Sequence, residues 1–184
     1  MPGAKYRHIQ PNADHTLSQG LPEILSSITS HLNAIIQSRP RPNIKWSSTP
    51  WGALAVYSDQ KPSKVQIYRG ESITSKPNRR DFRWITANIE GACQPPAAPI
   101  NDEICSNPIK WIPTEVVGEY NPQTKTYNYK YQEPTNADYK NWVSYFFMLD
   151  YPDGQSYTTQ AVIMPDIMPF KACGAGEACI GTLV

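Results

Sequence analysis

Residues 141–164 read NWVSYFFMLDYPDGQSYTTQAVIM, and this stretch decides the fold class. Tyr151-Pro152-Asp153-Gly154 is the strongest turn signal in the chain, because proline, aspartate and glycine each favour a different corner of a tight turn. It separates two β-prone runs, Asn141–Asp150 and Gln155–Met164, so a hairpin is expected. Within the first run, Trp142–Leu149 is apolar on both faces. A strand of that kind belongs in the middle of its sheet.

Working backwards, Ile109–Tyr120 and Lys125–Glu133 read as a second hairpin, with Asn121-Pro122 supplying the turn. Tyr127, Tyr129 and Tyr131 alternate with polar residues, which gives that strand one aromatic face. Residues 91–108 are expected to form a Pro-rich loop. Asp81–Glu90, Lys64–Arg69 and Trp51–Tyr57 are further strand candidates, the last two joined by a polar turn around Asp59 to Ser63. Consecutive hairpins favour an antiparallel sheet.

The one clear helix lies at 21–38. Leu21, Ile24, Leu25, Ile28, Leu32, Ile35 and Ile36 recur at helical spacing. Pro22 suits the first turn, and Glu23 sits near the positive end of the helix dipole. Arg39-Pro40-Arg41-Pro42 ends the helix, since proline cannot donate the next hydrogen bond. The simplest expectation is that this stripe packs on a sheet. The stripe lacks lysine or arginine at its edges, which disfavours a membrane interface. The expected architecture is therefore α+β: an N-terminal amphipathic helix packed on a mainly antiparallel β-sheet or small sandwich, with loops pinned by disulfides. Residues 1–20 are expected to form an extended, mobile arm. Residues 21–184 form a single β-rich domain, with strands from about residue 44 onward.

The disulfide expectation rests on four cysteines in two local pairs, Cys93 with Cys105 and Cys173 with Cys179. An even count in an oxidising compartment suits two loop-pinning bridges, although four cysteines allow three connectivities. Zinc would favour close C-x(2–4)-C knuckles, and none is present. The bland alternative is four unpaired buried thiols. Cysteine pairs favour an extracellular, virion or cell-surface location. The opening MPGAKYRHIQPNADH has no apolar stretch for a signal peptide, so a cytosolic origin and a removed export signal both fit. The longest apolar runs fall far short of the roughly 20 residues a membrane helix needs.

The 184 residues suffice for one domain with a real core. The chain is poor in charge and rich in Pro and Tyr. Its net charge of +1 hides an asymmetry: residues 1–92 hold twelve Lys and Arg against six Asp and Glu, and residues 93–184 hold five against ten. The halves can neutralise each other within the fold, meet between subunits, or present the basic half to a polyanion.

No linear catalytic signature is present. There is no G-x-S-x-G elbow, P-loop, zinc-protease helix or calcium loop. Gly174-Ala175-Gly176 lacks the third glycine and the following helix of a dinucleotide loop. His8 and His15 fall in the arm, and His31 edges the helix stripe. No metal, cofactor or catalytic residue is assigned. The sharpest binding candidates interleave cations with rings: Arg79, Arg80, Arg83 and Trp84 in one group, Arg39, Arg41, Lys45 and Trp46 in another. A solvated loop whose rings turn to the core explains them equally simply.

The leading functional expectation is a non-enzymatic structural or assembly subunit of a virion, appendage or filament. It would self-associate, as a homo-oligomer, through complementary charged surfaces. The alternatives are a secreted or injected binding protein, recognising a protein or glycan surface through its rings, and an enzyme without a linear motif. Replacing Arg79, Arg80 and Arg83 together by alanine is expected to weaken self-association or polyanion binding while leaving the melting transition in place. Light scattering at low and high salt reads the first effect and calorimetry the second. Unfolding of the triple variant would make these residues structural.

Overall fold

A computed structural model describes residues 4–13, 17, 20–49, 52–72, 82, 85–87, 98–99, 104–106, 109–134 and 142–164. The chain is mostly antiparallel β-structure with one helix. The strand expected to be central is β10, Val143–Asp150. Every residue from Val143 to Leu149 is buried. It pairs along its full length with β3, Lys64–Glu71. Its other edge carries both β11, Ser156–Thr158, and β12, Val162–Met164. β7, Ile112–Glu115, completes this five-stranded sheet beyond β3.

The return strand does not run straight. Met148 faces Thr158, but Tyr145 faces Val162, so the returning segment holds one extra residue between them. This is a β-bulge. Thr159 spans it: its N–H donates to the Phe147 carbonyl (3.0 Å), and its hydroxyl accepts from the Phe147 N–H (3.1 Å). Residues 157 and 164 would face opposite sides of an unbroken strand. The bulge lets Tyr157 and Met164 join the same core.

A second sheet of four strands packs on this one. Its order is β1 (Ile44–Ser48), β2 (Ala53–Ser58), β9 (Thr126–Gln132), β8 (Glu119–Asn121). The core between the sheets joins Leu54, Val56 and Tyr129 of one to Val65, Ile67, Val143, Tyr145, Phe147 and Leu149 of the other. This is a small sandwich, and the aromatic face of β9 lines it. A separate three-stranded sheet holds β4 (Ile85–Ala87), β6 (Ile104–Ser106) and β5 (Ala98–Pro99). Two of those strands lie inside the stretch expected to be a loop.

Of the two other expected strand pairs, one does not form and the other is kept in its last residues. β2 and β3 do not pair but lie in different sheets. The stretch Ile109–Tyr120 also divides, giving β7 to one sheet and β8 to the other. Gly118 lies at that crossing, where a Cβ would stand 2.3 Å from the Tyr129 ring. The β8–β9 turn does follow Asn121, whose side chain accepts from the Gln123 and Thr124 N–H groups (3.0 and 3.2 Å).

The helix α1 spans Leu21–Ile36, ending two residues before the expected limit. Ser38 adopts a left-handed φ of 52°. Its N–H bonds the Ile35 carbonyl (3.1 Å) and that of Arg39 bonds Ala34 (2.8 Å). This Schellman pattern stops the helix before the prolines do.

The expected packing of the helix stripe on a sheet is not what the fold adopts. Ser27 and Ala34 are the buried residues of α1, with Ile24, Ser30 and His31 half-buried beside them. Leu21, Leu25, Ile28, Leu32, Ile35 and Ile36 are exposed. At 3.6 residues per turn the two faces lie about a third of a turn apart. The reason is local. Ser27 Oγ donates to the Ser156 carbonyl (3.0 Å) and accepts from the Ser156 N–H (3.3 Å), which brings the helix close to the β10–β11 turn. Gly154 in that turn has φ of +85°, and a Cβ there would stand 2.7 Å from Ser30 Oγ. Small residues on both sides permit an approach that leucines would block.

An ion pair between a half-exposed arginine and a buried glutamate ties the sheets together. Arg69 of β3 meets Glu133, which follows β9, through Nε to both carboxylate oxygens (3.1 Å each) and Nη2 to Oε1 (2.9 Å). Tyr131 Oη adds a 2.6 Å bond to Oε2. Glu133 is almost fully buried. Arg69→Ala would leave that buried carboxylate without its cation, at a cost on the order of 1–3 kcal/mol. The double variant Arg69→Met/Glu133→Leu is expected to lose less, because no charge is then stranded. Urea unfolding of the three proteins checks this order.

Candidate interaction surface

Residues 4–12 are held on the sandwich. The Thr158 N–H donates to the Arg7 carbonyl (2.8 Å), and the Ile9 N–H donates to Thr158 Oγ1 (3.1 Å). Asn12 exchanges two bonds with the Trp111 backbone (2.7 and 2.9 Å). His8 Nδ1 lies 3.1 Å from the Ser156 carbonyl, which only accepts, so that nitrogen carries a proton. These residues of the expected arm thus lie against the sandwich. His15 lies outside the described residues.

Arm, helix and β11 meet at three rings. Tyr6 lies 5.0 Å from His31 and 4.7 Å from Tyr157, centre to centre. The Tyr157 hydroxyl donates to Gln155 Oε1, so its oxygen accepts from His31 Nδ1 at 2.6 Å. Arg41 sits over the Tyr6 ring at 5.5 Å, within cation–π range. Burial, and secondarily the Arg41 charge, lower the His31 pKa. Burial first, then nearby Tyr6 and Asp153, raise that of Tyr157, which keeps its proton.

Between arm and helix runs an open groove of about 430 Å³, walled by Tyr6, His8, Leu17, Ile24, Ile28 and Leu32. Ile28 and Leu32 also belong to the exposed stripe, so groove and stripe form one apolar surface. Pro22, Thr29 and Asn33 flank the stripe and carry no charge.

The two cation-and-ring groups do not converge on one site among the described residues. Arg39 is exposed beyond the helix, and Arg41 is drawn to Tyr6. Lys45 points to solvent from β1, whereas Trp46 packs against the core. Arg79, Arg80, Arg83 and Trp84 lie outside the described residues, though their neighbour Phe82 packs on Trp111 (5.7 Å). Cys93, Cys173 and Cys179 also lie outside them, and Cys105 belongs to β6. Among the described residues no group of three or more His, Cys, Asp or Glu is placed to hold a metal ion. No described helix is long and apolar enough to cross a membrane.

The sequence periodicity locates the stripe but not its outward orientation. A signal was present in Ser27, Ser30 and Ala34, the small residues on the side of α1 that is turned inward.

Residues 1–83, under half of the chain, match the family described as PhoPQ-activated pathogenicity-related protein. The chain is also similar to autocrine proliferation repressor protein A of Dictyostelium discoideum, at 24% identity over 198 aligned residues. That match takes in 95% of this chain but 35% of the Dictyostelium protein, so the chain spans about a third of that relative's length. No solved structure matches.

The lowered His31 pKa sets a pH dependence for helix docking. The stabilisation is fully present above the unfolded value, about 6.5. It is lost as pH falls through the lower folded value, because the unfolded chain then binds the extra proton. Hydrogen exchange of α1 amides is therefore expected to quicken relative to the β10 amides between pH 7 and pH 5. His31→Gln should flatten that difference.

Proposed function

We propose that this chain is a non-enzymatic protein-interaction module, with the outer face of α1 as its contact surface. The carrying observation is the exposure of six large apolar residues on one helix face, between about 45% and 79% each. Isolated exposed leucines are ordinary, but a contiguous apolar face of this size marks an interaction site. The helix is 16 residues long, hence about 24 Å. The groove beside the arm widens it.

This reading keeps the assembly role and changes its physical basis. Both main sheets contain strands from the basic and from the acidic half of the sequence, and β3 of the basic half lies between β10 and β7 of the acidic half. The apolar stripe is the better-supported contact. A second reading, recognition outside the cell, draws on the word autocrine in the relative's name. On this reading the pairs Cys93–Cys105 and Cys173–Cys179 would be bridged, as an oxidising compartment permits.

Leu25→Glu with Leu32→Glu tests the contact surface. The double variant is expected to keep its melting temperature within a few degrees while its concentration-dependent association and apolar-dye binding fall about tenfold. A collapse of the melting temperature would show that the stripe packs inside the fold. Unchanged association would remove it as the contact surface.

A further inference from the structure

We infer that the open edge of β1 takes an extended acidic peptide as an added strand. This contact is separate from the α1 face and stands without it. β1 ends the row β1-β2-β9-β8, and among the described residues it pairs with β2 alone. The bonding pattern tells which backbone groups are left over. The Thr49 N–H donates to the Ala53 carbonyl (2.9 Å), and bonded pairs recur at every second residue of an antiparallel ladder. In the observed register the next bonded pairs are Ser47 with Ala55 and Lys45 with Tyr57. At the far end the Asn43 N–H turns the same way, to Asp59 Oδ1 (2.8 Å). Ile44, Trp46 and Ser48 therefore direct their N–H and C=O groups to the open edge. No described residue bonds them.

Other edges of the sandwich are blunted. β7 carries Pro113, and β8 is three residues long; both features discourage a further strand. β11 is bonded by the arm at Arg7 and Ile9. β1 has five residues without a proline. Beside it lies a cleft of about 410 Å³, walled by Lys5, Arg7, Asn43, Ile44 and Trp46. That volume falls within the range of ligand sites.

The walls state the chemistry of the peptide. Ile44 and Trp46 are half-buried against the core, and they offer an apolar seat to one face of an added strand. Lys5 and Arg7 are exposed and form no ion pair with a described residue. Arg41 adds a cation over Tyr6, which also lines the cleft. Asp59 stands at the same end, with its Oδ1 engaged by the Asn43 N–H. Lys45 points outward from β1 itself. Cations along an open edge repel a second copy of the same edge and attract an acidic strand. The matching ligand alternates apolar and acidic residues. Its main chain supplies affinity and its side chains supply selectivity.

The test titrates the 184-residue chain with a short capped peptide alternating valine and glutamate, followed by amide NMR and hydrogen exchange. Saturable binding is expected, with exchange slowed at Ile44, Trp46 and Ser48. A valine–lysine peptide, and the glutamate peptide N-methylated along its backbone, should both fail to bind. Lys5→Glu/Arg7→Glu should weaken binding about tenfold with circular dichroism unchanged, whereas Leu25→Glu/Leu32→Glu should leave it intact. Absence of binding overturns the proposal. So does binding that leaves exchange at the three amides unchanged or survives N-methylation, since the cleft would then hold an anion without strand pairing. Protection that grows with protein concentration in the absence of peptide overturns it in favour of a second copy. If Leu25→Glu/Leu32→Glu abolishes binding, the peptide lies on α1: the edge assignment fails and the α1 reading survives.

Discussion

The burial of β10 on both faces is the constraint on which the rest of the structure depends. Its core face carries Val143, Tyr145, Phe147 and Leu149, and its other face carries Ser144, Phe146 and Met148. Such a strand needs paired neighbours on both edges and cover on both sides, because unpaired backbone groups in a dry core are costly. β3 supplies one edge, and β11 with β12 supply the other. The second sheet covers the core face. On the opposite face, Tyr68 and Trp111 pack on Phe146. The bulge at Thr159 interrupts the ladder and brings two return segments into one core, with the Thr159 hydroxyl accepting from the Phe147 N–H.

The helix is subordinate to this arrangement. It attaches at the β10–β11 turn through hydrogen bonds and one ring cluster, with little apolar contact. Serine, alanine and histidine make the junction, and leucine and isoleucine face out. An amphipathic helix ordinarily does the reverse, since burying each large apolar side chain is worth about 1.5–3 kcal/mol. A fold that leaves six of them exposed forgoes that stabilisation unless something else covers them. This imbalance is what supports the proposal that the helix face is a contact surface.

Electrostatics plays a local part. The Arg69–Glu133 pair joins the two sheets and, at the same time, the basic and acidic halves of the sequence. The other cations of the described residues act singly: Arg41 on Tyr6, Lys45 towards solvent. Strands of both sequence halves contribute to each of the two main sheets.

Period and punctuation sufficed for the class of fold, the central strand, the aromatic face of β9, the turn at Pro152–Gly154 and the existence of α1. These are local properties: alternation follows from the pleat, and turn residues act through their own φ preferences. Sheet membership was not legible. β2 and β3 look like a hairpin because they are adjacent in sequence, yet they sit in different layers because each must bury one face of a shared core. Nor could periodicity say which side of α1 faces inward. A stripe of leucine and isoleucine and a stripe of serine and alanine are both periodic, and the geometry at Gly154 chose the smaller one. That choice, made by close packing at long sequence separation, turned an expected core helix into the candidate interaction surface.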